Sequence, residues 1–103
     1  LFENVDFGKE VNKKYIDFYV NKDIPLEEQI DLLKEDFLQV SYDNGYPIHM
    51  GWYPELDEDG NFRVSVIKDY QWNNSILQKS CRDLSLLNEY VHEYINLIES
   101  TNK

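Results

Sequence analysis

The chain has 103 residues, enough for one hydrophobic core but not two, so a single domain over 1–103 is expected. Its 42% hydrophobic and 15% aromatic content separates it from disordered chains of similar charge, despite a mean hydropathy of -0.62. The net charge of -10 disfavours phosphate backbones and anionic membranes as direct partners and favours basic ones. The acidity is concentrated: residues 25–62 hold 1 Lys against 10 acids, whereas residues 63–82 hold 4 basic and 1 acidic side chains.

In chain order, Phe7, Val11, Tyr15 and Phe18 recur at helical spacing behind Asp6, a possible cap, and predict a helix over 7–21. Leu26, Ile30, Leu33 and Phe37 repeat the pattern behind Pro25, with Glu27 and Glu28 in the first turn, and predict a second helix over 25–39. The period then changes to two. Tyr46, Ile48, Met50 and Trp52 alternate with His49 and Tyr53, and Phe62, Val64 and Val66 alternate with Arg63, Ser65 and Ile67, predicting strands over 46–53 and 62–68. Between them, residues 54–60 form an acidic, turn-rich stretch ending in Asp-Gly. Asn73 and Asn74 mark a further turn before a third strand over 75–81, and Leu84, Leu87, Val91, Ile95 and Ile98 follow Asp83 as a final helix over 84–99. The fold class read from this is α+β, a small antiparallel sheet with helices packed on one face, in the order α-α-β-β-β-α. The expected core includes Phe37, Ile48, Met50, Val64, Val66, Leu87, Val91 and Ile95.

Chemistry-bearing motifs are sparse. Asp57, Asp59 and Asn61 have the start of a calcium loop, but Phe62 stands where its Gly belongs and Lys68 where its Glu belongs. Cys81, His49 and His92 are the atom types of a thiol protease without its signatures, and a lone Cys forms no disulfide or zinc framework. Carboxylate pairs of the glycosidase kind can be nominated almost anywhere in so acidic a chain. No phosphate loop or metal-spaced His cluster occurs, so no cofactor and no metal are expected, and catalysis is not. With no apolar run of membrane length and no signal-like start at Leu1–Asn4, the chain reads as soluble and cytoplasmic.

Aromatic and acidic residues remain. Tyr53, Tyr70 and Trp72 flank Glu55, Asp57, Glu58 and Asp59, and together they make a candidate interface of aromatic anchors with an acidic rim. The plainer alternative places Trp72 in the core or over a sheet edge.

The stretch Gly51-Trp52-Tyr53-Pro54, followed by Asp59-Gly60-Asn61-Phe62-Arg63-Val64 and Asp69-Tyr70-Gln71-Trp72, resembles small immunity proteins of bacterial contact-dependent growth inhibition and related polymorphic toxin systems. The resemblance runs over residues 46–98. It implies a non-enzymatic cytoplasmic protein that binds and blocks one cognate toxin domain, with a nuclease, first of all a ribonuclease, as the expected partner. A carboxylate-rich inhibitor suits a basic, phosphate-shaped cleft. A small acidic secretion or assembly chaperone is the alternative, and it would bring an exposed apolar patch and dimerisation.

Overall fold

The computed structural model describes residues 2, 4–43, 45–67 and 75–101. Its elements are β1 (Val11–Ile16), β2 (Leu38–Tyr42), β3 (Ile48–Tyr53), β4 (Asn61–Ile67), β5 (Ser75–Cys81) and α1 (Leu84–Thr101), with 3-10 turns at Leu26–Glu28 and Ile30–Leu32. The five strands form one antiparallel sheet in the order β1-β2-β3-β4-β5, and α1 packs on one of its faces. The class is α+β as expected, but the order is β-β-β-β-β-α.

Two of the three predicted helices are therefore absent. Over 7–21, Asp6 caps only a tight turn, its Oδ1 accepting from the Gly8 N–H at 2.9 Å, and Gly8 adopts φ 107. The residues that follow, Val11, Tyr15 and Ile16, are β-branched or aromatic and pair with β2 from Val11↔Tyr42 to Ile16↔Leu38. The helical stripe was coincidental. Phe7 and Phe18 are buried, whereas Tyr15 lies 50% exposed on the opposite face of the sheet.

Over 25–39 the apolar positions do face the core, with Leu33 and Phe37 fully buried and Leu26 and Ile30 packed against them. The backbone differs. Gln29 interrupts it at φ -136 and ψ 34, and its buried amide donates to the Asn21 and Ile24 carbonyls while its Oε1 accepts from the Asn21 N–H. Three hydrogen bonds to a neighbouring turn hold Gln29 where a helix would not place it. Residues 34–37 then run alongside β3, with Phe37 N–H bonded to Met50 O and Trp52 N–H to Lys34 O.

The later elements follow the sequence reading closely. β3 and β4 pair in register from Ile48↔Val66 to Tyr53↔Asn61, and β4 pairs β5 from Phe62↔Cys81 onward. Lys68, the last residue of the predicted second strand, lies outside the described residues. Asp83 caps α1, its Oδ1 accepting from Ser85 N at 2.7 Å and Leu86 N at 3.2 Å. All eight expected core residues are buried, joined by Phe2, Phe18, Trp52, Phe62, Tyr94 and others. Edge-to-face contacts Phe2–Phe18, Phe18–Phe37 and Trp52–Phe62 knit the aromatic part of that core. Fully burying each such side chain contributes about 1.5–3 kcal/mol.

Candidate functional site

The site begins with Trp52. It is fully buried on the inner face of β3, and its indole Nε1–H donates to the Asp57 carbonyl at 2.7 Å. That bond fixes the loop of residues 54–60 from below. The Asp57 carbonyl also accepts from Gly60 N–H at 3.0 Å, and Asp57 Oδ1 accepts from Asp59 N–H at 2.9 Å. Leu56 N–H donates to Leu33 O at 2.8 Å, tying the loop to the neighbouring chain segment. Between β5 and α1, Arg82 completes the hold. One terminal N–H group donates to Gly60 O, the other to Glu58 O at 2.8 Å, and the guanidinium lies 5.4 Å from the Trp52 ring.

Every one of these bonds uses the loop backbone or the Asp57 side chain. The carboxylates of Glu55, Glu58 and Asp59 are exposed and make no ion pair among the described residues. The loop thus has a fixed backbone and free charges. Segment 33–36 joins the loop through the Leu33 carbonyl and β3 through the Lys34 carbonyl, and brings Glu35 and Asp36 to the same end of the sheet. The predicted second helix concealed that arrangement, because a helix would have spread these acids along its solvent face.

Tyr53 stands where the sequence placed it, on the outer face of β3, and its hydroxyl donates to Glu35 O at 3.3 Å. Burial, followed by the carboxylates of Asp36 and Glu35, pushes its phenol pKa up, while Arg63 opposes the shift. The Arg63 guanidinium stacks 4.4 Å from the Tyr53 ring centre. Tyr70 and Trp72, the other two aromatic residues of the expected interface, lie outside the described residues.

Beyond Tyr53, the sheet face opposite α1 carries a polar groove of about 360 Å³. Its floor follows from register, because Gln39, His49, Ser65 and Gln78 stand opposite one another across β2, β3, β4 and β5. His49 Nε2 lies 3.0 Å from Asp36 Oδ1 at one wall, and Tyr53 and Arg63 make another. The groove was not anticipated, although the alternation in β3 and β4 had placed His49, Tyr53, Arg63 and Ser65 on one face.

The residues of the calcium-loop and thiol-protease motifs lie as follows. Asp57 Oδ1 is occupied by Asp59 N–H, and no group of three or more His, Cys, Asp or Glu among the described residues is arranged to hold a metal ion. Cys81 lies on the inner face, donating weakly to Asp83 O at 3.6 Å, with burial pushing its thiol pKa up. His49 is on the outer face, and His92 on α1 donates from Nδ1 to Asn88 O at 2.8 Å. No nucleophile is therefore paired with a base among the described residues. No helix among them is long and apolar enough to cross a membrane.

No protein-family model, curated protein or solved structure matches this chain.

Proposed function

We propose that this chain is a non-enzymatic cytoplasmic immunity protein that binds and neutralises a basic toxin domain, a nuclease and first of all a ribonuclease. The observation that carries the reading is the loop of residues 54–60, whose backbone is pinned by Trp52 and Arg82 while Glu55, Glu58 and Asp59 are left exposed. Reversing the chain between β3 and β4 needs only a short turn, so the fold alone does not call for a longer, rigid, carboxylate-bearing one. Preorganised charge is what an inhibitor of a phosphate-binding cleft requires, because a flexible loop would lose ordering entropy on docking. Glu35 and Asp36 extend the same field, Tyr53 supplies an aromatic anchor beside it, and the resemblance over residues 46–98 points the same way.

The test is binding kinetics to the toxin domain that co-purifies with the chain, at low and high salt. In the variant Glu55→Gln, Asp57→Asn, Glu58→Gln, Asp59→Asn, association slows on the order of tenfold at low salt and its salt dependence weakens. The melting temperature stays nearly constant, because the amide replacing the Asp57 carboxylate keeps an oxygen that accepts from the backbone N–H two residues on. Unchanged rates at both salt levels would show that the loop is a solvated turn and move the interface to Glu27, Glu28, Asp31 and Glu35. If the partner is neither basic nor inhibited, the immunity reading is wrong.

A further inference from the structure

Arg63 occupies a position that the fold itself does not explain. It projects from the outer face of β4, opposite Gly51 of β3 and Ser80 of β5, and stacks on Tyr53. Among the described residues, its buried Nε has no acceptor and its guanidinium makes no ion pair. Asp36, the acid lining the same groove, is engaged with His49 at 3.0 Å. The Nε lies out of a ligand's reach, but the terminal N–H groups of a guanidinium are shaped to bind a carboxylate through two parallel hydrogen bonds. Gln39, Ser65 and Gln78 add amide and hydroxyl groups along the floor. The volume of about 360 Å³ holds an acidic side chain with room to spare.

We propose that this groove receives an Asp or Glu side chain of the protein partner, its carboxylate bound by Arg63 and the guanidinium held in place by Tyr53. The source of the carboxylate follows from charge. A chain of net charge -10 repels small anions diffusing towards it, whereas a carboxylate carried on a basic partner is drawn in with the rest of that partner. For that source the proposal rests on the reading of a basic partner. Tyr53 is both the wall of the groove and the residue preceding the acidic loop, so one docked molecule reaches both. The groove then reads a single charge of opposite sign to the loop's targets, which separates the cognate partner from other basic proteins.

The experiment uses the isolated chain, so its outcome does not depend on what the partner does. In physiological salt, which screens the long-range field, capped glutamate (N-acetyl-glutamate N-methylamide) is titrated while the arginine Nε–H resonances are followed. The Arg63 signal shifts saturably, with a dissociation constant on the order of millimolar. Arg82, whose guanidinium already donates to Gly60 and Glu58 carbonyls, is the internal control and stays put. Capped glutamine moves neither. In Arg63→Lys, which keeps the charge and loses the planar fork, binding followed on the Ser65 and Gln78 amides weakens about tenfold. In Tyr53→Leu it also weakens, because the stacked wall is gone. An Arg63 signal unmoved by capped glutamate overturns the proposal. So does an equal response to capped glutamine, or a stronger response to inorganic phosphate.

Discussion

Arg82 does for the acidic loop what a second strand would do for an edge. Its two terminal N–H groups take the carbonyls of Gly60 and Glu58, and its flat face covers the Trp52 ring, so one side chain joins the approach to α1 to the β3–β4 connection. Bonds from a charged donor contribute more than neutral ones, but Arg82 is exposed and water competes for it. Arg82→Ala is expected to cost about 1–2 kcal/mol, read as a lower urea midpoint at unchanged slope. Arg82→Lys, with one ammonium for two acceptors, should recover only part of that. A midpoint equal to wild type in Arg82→Ala would mean that the Trp52 and Leu33 contacts hold the loop without it.

At the scale of elements, the join between the 33–37 segment and β3 shows what the sequence could and could not convey. Residues 35 and 36 bulge between the Trp52 N–H to Lys34 O and Phe37 N–H to Met50 O bonds, and the Glu35 carbonyl oxygen lies where a Cβ on residue 51 would be. Only glycine fits beneath it. Gly51→Ala is therefore expected to destabilise the domain by about 3 kcal/mol, measured by urea unfolding. An unaltered midpoint would show that the bulge does not sit over Gly51. None of this was legible from periodicity, because Leu26, Ile30, Leu33 and Phe37 reach the core from turns and an extended segment as well as they would from a helix. Gln29 was the overlooked signal, a polar residue among apolar ones whose partners, Asn21 and Ile24, lie in the preceding turn. Where neighbours in sequence are neighbours in space, from residue 46 to 67 and again from 75 to 99, alternation and capping sufficed to place strands, helix and core. The acidic loop could be placed for the same reason. The groove beside it could not, since its floor draws Gln39, His49, Ser65 and Gln78 from four different strands.

For the whole molecule, buried phenols make stability depend on pH in the alkaline range. Tyr94 is almost fully buried, its hydroxyl has no partner among the described residues, and burial pushes its pKa from 10.0 up to about 12. Tyr42 shifts in the same direction, again chiefly through burial, with its hydroxyl donating to Phe7 O at 2.7 Å. The fold holds these protons more tightly than the unfolded chain does. The Tyr94 contribution is thus fully present below about pH 10 and is lost as pH rises through about 12, and that of Tyr42 is lost at still higher pH. Urea midpoints should fall over that window, and Tyr94→Phe should flatten the fall while leaving stability at neutral pH unchanged or slightly higher, since it removes an unpaired hydroxyl. An alkaline slope identical in wild type and Tyr94→Phe would show that Tyr94 does not contribute to it.

The strand order has a kinetic consequence. Each strand pairs only with its neighbours along the chain, so the sheet can assemble by successive short closures, growing outwards from the β3–β4 hairpin without threading one segment past another. The longest closure between sheet neighbours is the one from Ile16 to Leu38 that brings β1 to β2. Loop entropy grows only slowly with length, at about 0.6 kcal/mol per doubling, so the delay at that step is modest. Strand pairing thus follows chain order, and the 17–37 connection, which also carries Gln29 and the bulge over Gly51, spans the longest of these closures.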